Sequence, residues 1–207
     1  MKVITGIICQ TYDYKENDKR LAIFTPEGFV YLLARGVKTK KSKLKNLINI
    51  FTIANFQYVE GRNNILNGVE IIESFFDVWA DEKKNVCMSI LVEIANKVLS
   101  KEKDTKNDFV NLVTALKQIA YGNANELSFV TKFIISTIQS LGLDIEFLAG
   151  TKEYDIILAF LNADFEDVAT LPFYPNELKN VISKLIYLIY TELNINIVSL
   201  SSLLRLT

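Results

Sequence analysis

Between Leu32 and Leu47 the chain reads LLARGVKTKKSKLKNL. Arg35, Lys38, Lys40, Lys41, Lys43 and Lys45 put six positive charges into eleven positions, and no acid interrupts them. A solvated loop usually mixes signs, because like charges this close repel one another. The usual partner that offsets such a run is a phosphate backbone, whose condensed counterions the cations replace. The preceding residues offer a second kind of contact. FVYLLAR alternates as a strand does, so Phe29, Tyr31, Leu33 and Arg35 share one face. Part of that face must be core. At its open end, a tyrosine ring and a guanidinium can stack on unpaired bases. Arg20 and Arg62 are weaker candidates for the same interface.

Other chemistries are poorly supplied. The 207 residues contain no histidine and only two cysteines, Cys9 and Cys87. Triads built on histidine are excluded, the commonest general base is missing, and a zinc site with its usual four Cys or His ligands cannot be assembled. Two cysteines make no disulfide framework, and both fall inside strand or helix patterns as small core residues. Neither standard Gly-rich phosphate loop is present; GRNN and PEG read as hairpin turns. The acids Asp164, Glu166 and Asp167, and Asp144 with Glu146, have no basic or Gly-rich partner nearby and read as solvated loops or helix ends. No catalytic group, metal or cofactor is expected.

The net charge of −1 hides an asymmetry. Residues 1–74 carry 11 Lys/Arg against 7 Asp/Glu, and residues 75–207 carry 12 against 17. The periodicity changes at the same place. KVITGIICQTYDY, KRLAIFT, FVYLLAR, INIFTIANFQYVE and NILNGVEIIESF are five strand patterns separated by turn residues. Five strands in about 70 residues suit a small closed barrel of OB type, because closure removes exposed edges. From Phe75 onward apolar residues recur at spacings of three and four, as in helices. Five helical segments are expected, among them one with Thr105 as N-cap and Gly122 as stop, one ending at Gly142, and one opening on Pro175. The fold expected is α+β: a five-stranded OB-type barrel over residues 1–76, then an all-α bundle over 77–207. The longest apolar run, LIYLIY at 185–190, is far short of the roughly 20 residues that span a bilayer. No secretory signal is visible, so a cytoplasmic protein without membrane contact is expected.

At this point the motifs carry a resemblance. The stretch from Thr5 to Leu44 resembles the N-terminal region of the RecO family of bacterial recombination mediators. It has the pattern T.DY.E.D at Thr11–Asp18, RL..FTPEG at Arg20–Gly28 and ARG.K..KS.L at Ala34–Leu44. Lys19 before Arg20 and a shorter turn at PEG depart from the family pattern. YVEGRNNILNGVEIIESF is similar to the family's next hairpin, and LPFYPNELKNVISKLIYLIYTEL to its last helix. Many members carry a four-cysteine zinc-binding insertion after the segment that reads QSLGLDIEF here; this chain has LAGTKEYD and no cysteine there.

The resemblance implies a non-enzymatic protein that binds single- and double-stranded DNA and anneals complementary strands. With RecR, it would help RecA replace single-strand-binding protein, close to the nucleoid during repair. It also implies that the acidic helical part receives the acidic, Phe-ended tail of single-strand-binding protein, with Lys132 and Lys179 as candidate charge partners. Two other readings of the residues stay open: a generic OB-type module for RNA or DNA, and a helical scaffold docked by its barrel.

The missing histidine and scarce cysteine generate a first prediction. Protein purified without chelator should carry no stoichiometric zinc, and its melting temperature should not respond to EDTA. One tightly held zinc per chain would contradict this.

Overall fold

A computed structural model describes residues 1–99 and 105–206. Strands β1 (Lys2–Tyr14), β2 (Asp18–Thr25), β3 (Gly28–Ala34), β4 (Ile53–Val59) and β5 (Asn64–Glu73) close into a barrel in the order β1-β2-β3-β5-β4. All neighbours are antiparallel except β3 and β5, which pair in parallel through Leu32–Asn64 and Leu33–Ile65. This is the OB-type barrel expected from the strand patterns.

Closure rests on β1, which serves two partners. Lys2–Ile7 pair with β4, Ile7–Tyr14 with β2, and the register shifts between Ile8 and Gln10. The bend needs room at Gly6, where a Cβ would lie 2.5 Å from Ile23 Cγ2 and 2.7 Å from the Phe24 carbonyl oxygen. The alternating inner faces supply Ile8, Leu21, Ile23, Leu32, Phe56 and Leu66 to one core, to which Val37 and Ile48 add from the long β3–β4 connection. Tyr58 is also part of it.

The helices are α1 (Glu82–Val98), α2 (Lys106–Tyr121), α3 (Glu126–Ser140), α4 (Lys152–Asn162), α5 (Pro175–Leu193) and α6 (Leu200–Arg205), with short 3-10 turns at Phe76–Ala80, Glu146–Leu148 and Val168–Thr170. The sequence pattern contains the first five. α6 is too short to show a period, and it begins where the Glu93 carboxylate accepts the N–H groups of Val198 and Ser199, each at 2.9 Å. α3 is buried from Leu127 through Ile135, as expected for a helix apolar on every side, and it packs against α4 and α5. Asn125 caps its start through Leu127 N–H, and Gly142, at φ 65°, follows its end. Pro175 opens α5, and the Glu177 carboxylate accepts the Tyr174 N–H at 2.9 Å. Among the described residues no helix is long and apolar enough to cross a membrane.

Two compact units emerge: residues 1–76 with 95–109, and residues 77–94 with 110–207. In the first unit, Phe109 lies 6.0 Å from Phe24 between ring centroids, and Asn96 bonds to Gln10. Thr105 opens α2 by accepting the Phe109 N–H with its carbonyl at 2.8 Å, while its hydroxyl donates to the Thr25 carbonyl at 3.0 Å.

Gly6 gives the second prediction. Gly6→Ala should cost about 1–3 kcal/mol, the usual range for overpacking, because the Phe24 backbone cannot yield as a side-chain tip can. A thermal or urea melt reads it; an unchanged midpoint would show that β1 bends without needing glycine.

Candidate nucleic-acid interface

The outer face of the barrel carries a line of rings around one arginine. Registers place Tyr12 opposite Arg20, Arg20 opposite Leu33, and Ala22 opposite Tyr31. Alternation then puts Tyr14 beside Tyr12, and Phe29 beside Tyr31. Tyr12, Tyr14 and Tyr31 are 39–40% exposed. The Arg20 guanidinium lies 5.3 Å from the centroid of the Tyr31 ring, a cation–π distance, and the Phe29 ring is 6.4 Å from that of Tyr31. Partial burial raises the Tyr31 phenol above its ordinary value, and Arg20 opposes the shift.

Two cavities open on this face and share Arg20 and Tyr31. One of about 450 Å³ is also lined by Leu33 and Tyr58, by Glu60, Arg62 and Asn63 from the β4–β5 turn, and by Asn64 at the start of β5; the Glu60 carboxylate is paired with Lys2 at 2.8 Å. The other, about 360 Å³, reaches Tyr12, Asp13 and Tyr14. The parallel β3–β5 contact is what brings the β4–β5 turn beside Tyr31. Such a groove offers faces for stacking and a guanidinium or amide for phosphates and base edges.

The basic stretch is the β3–β4 connection, and it is pinned at several points. Gly36 adopts φ 60° and donates its N–H to Asp18 Oδ1 at 2.8 Å; Lys38 donates its N–H to the Asn17 carbonyl at 3.0 Å. Val37 and Ile48 are core residues and Leu44 packs against that core. At the far end Phe51 is wholly buried at φ 71°, and its N–H donates to the Ile8 carbonyl at 2.9 Å. The apolar anchors leave Arg35, Lys40, Lys41, Lys43 and Lys45 exposed, none of them in an ion pair with a described residue. Lys38 differs: its ammonium pairs with Asp13 at 2.8 Å, and that hydrogen bond holds the Asp13 carboxyl below its usual value. Among the described residues, five of the six cations are therefore without an ion-pair partner.

Of the residues singled out from sequence, Arg20, Tyr31 and Arg62 come together in one groove, and Arg35 to Lys45 share one loop. Neither cavity is lined by the loop cations. Tyr12, Tyr14, Tyr58, Asn63 and Asn64 were not anticipated; the spacing of Tyr12 and Tyr14 on one face of β1 was the available signal. The two lysines expected as charge partners for a docking peptide are engaged internally. Lys132 is only 8% exposed and donates to the Phe160 carbonyl at 2.8 Å, and burial pushes its ammonium down. Lys179 donates to the Leu206 carbonyl. Each of the two ammonium groups thus holds a backbone carbonyl of its own unit. Cys9 and Cys87 are buried, and burial raises both thiols, to about 12 at Cys87, so they stay protonated at neutral pH. Among the described residues no three acid, cysteine or histidine side chains gather to hold a metal.

Comparison with known proteins agrees with the barrel. Residues 1–75 match the family model described as Recombination protein O N terminal. The barrel is therefore similar to the N-terminal domain of the RecO family. It is 28% identical over 159 residues to the DNA repair protein RecO of Halalkalibacterium halodurans, covering 75% of this chain and 62% of that one. It is 30% identical over 145 residues to the DNA repair protein RecO of Clostridium acetobutylicum, covering 67% and 59%. To the DNA repair protein RecO of Mycoplasma capricolum it is 30% identical over 121 residues, covering 56% and 47%. The chain thus spans between about half and three-fifths of the length of these RecO relatives.

The free cations give the third prediction. Lys40, Lys41, Lys43 and Lys45 replaced together by Gln should flatten the slope of log affinity against log salt by about three units on a single strand, if all four reach phosphates. The loss should be alike for all sequences, since phosphates carry no base identity. These residues are exposed, so the melting temperature should hold. An unaltered salt slope would remove the loop from the interface.

Proposed function

We propose that this protein acts as a recombination mediator of the RecO kind. Its barrel binds single- and double-stranded DNA, and it anneals complementary strands. With RecR, it helps RecA displace single-strand-binding protein in DNA repair and recombination. One observation carries the reading: a groove of Arg20, Tyr31 and Arg62 suited to stacking, and a pinned loop with five cations unpaired among the described residues, stand on the same RecO-type barrel. The loop can hold any phosphate backbone; the groove can hold only bases whose faces are free. Neither requires a bond to be made or broken, and the reading needs no catalytic group or cofactor. Such work belongs in the cytoplasm, at the nucleoid.

The helical part serves, in this reading, as a docking surface for the Phe-ended tail of single-strand-binding protein. A mainly apolar cavity of about 210 Å³, lined by Ile135, Ile138, Leu143, Ile145, Leu161 and Leu185 together with Gln139, is of the right character for a phenylalanine side chain. Since Lys132 and Lys179 are internally engaged, the tail would be held by apolar contact more than by these charges.

The test is an annealing assay with labelled complementary strands, bare or coated by single-strand-binding protein, beside salt titrations on single-stranded DNA, duplex DNA and RNA. The full chain should accelerate annealing on both substrates and bind both DNA forms with steep salt dependence. No acceleration over the spontaneous rate would overturn the mediator reading. A clear preference for RNA of the same sequence would favour an RNA-binding module instead.

A further inference from the structure

The groove and the loop differ in what they do to a strand that has to pair. A ring can stack only on a base whose face is free, and in a duplex both faces are covered by neighbouring pairs. A base laid on Tyr31 or Tyr12 has therefore left its own stack. The larger cavity is lined by Arg62, Asn63 and Asn64, whose guanidinium and amide groups can hydrogen-bond the edge of such a base and so compete with a complementary base for it. Lysine and arginine cations on an exposed loop can contact phosphates alone, and a strand held only by its phosphates keeps its base edges free to pair. We propose that the barrel binds DNA in two modes with opposite effects on pairing: the loop presents a strand for annealing, and the groove centred on Arg20 and Tyr31 withholds unpaired bases from it. The inference rests on the DNA-annealing function proposed above.

Arg20 is the residue that links the two compartments. It belongs to the lining of both cavities, and in the free protein its guanidinium covers Tyr31. A base taking the Tyr31 ring must displace it or trap it, which leaves Arg20 beside the strand as a cation for the adjacent phosphate. Tyr12, opposite Arg20 in the sheet, offers a ring on the far side, with its hydroxyl donated to Gln10 at 2.7 Å. The two compartments thus suit two neighbouring nucleotides, with Arg20 between them.

The experiment uses the full chain, a groove variant (Tyr12→Ala with Tyr31→Ala) and the loop variant with four lysines changed to Gln. Single strands carrying 2-aminopurine report stacking by fluorescence quenching. The parent should quench the probe. The groove variant should not, should lose roughly 5- to 100-fold in single-strand affinity, and should lose much less on duplex. At concentrations saturating for each protein the groove variant should anneal strands faster than the parent, and the loop variant slower. Tyr31→Phe, which keeps the ring, should restore quenching, and it guards against loss of folding in the alanine variant. A groove variant that anneals more slowly than the parent at saturation would sink the proposal, as would a parent that binds and anneals without quenching. A parent that neither binds nor anneals would overturn the mediator function and this inference with it.

Discussion

The parallel pairing of β3 with β5 is the constraint from which both candidate surfaces follow. A strand cannot reach a parallel neighbour by a tight turn, and with β5 at its side β3 cannot lie next to β4. The chain must leave β3 at Ala34, travel round the barrel, and come back as β4 at Ile53. The basic loop exists because of that journey. The same pairing aligns Leu33 with Ile65, so the start of β5 and the turn before it stand beside the outer face of β3. Arg62, Asn63 and Asn64 thereby become the wall of a groove whose floor is Tyr31.

Holding like charges together requires a backbone that cannot drift away from them. The loop meets this requirement with apolar anchors placed among the cations, so that the hydrophobic term opposes the repulsion. Val37 and Ile48 are core residues in every sense except that no strand carries them. Asp18 and Asn17, from the end of the β1–β2 hairpin, fasten the near end by accepting from the backbone. Asp13 neutralises Lys38 alone, and the cations beyond it are left to solvent.

Strands, barrel class and basic loop were legible in the sequence because their signals are local: alternation, turn residues, and charge crowded into a short stretch. The groove was legible only in pieces. Arg20, Tyr31 and Arg62 stand out singly, but their meeting depends on a pairing between strands far apart in the chain, which no local period encodes. Tyr12 and Tyr14 share a face by simple alternation, yet nothing local says that face stays open at their end while Phe24, on the next strand, is fully buried. Lys132 misleads for the opposite reason. A lysine within an apolar helix reads as the solvated edge of that helix, but α3 is enclosed by its neighbours, and the ammonium finds a carbonyl at the end of α4 instead of water. Lys38 looks like its fellows until the strand that carries Asp13 is folded beside it.

Gly36 and Phe51 bracket the loop in left-handed conformations, each fixed to the barrel by a hydrogen bond from its own N–H. Between these two posts only Val37, Leu44 and Ile48 fill space in or against the core; the positions that alternate with them need only face outward. A cation at position 40, 41, 43 or 45 can therefore be gained, lost or replaced by a single mutation without repacking the interior. Under the proposed function, affinity for a polyanion is then a quantity that selection can adjust in small steps, independently of the heritable solution to folding.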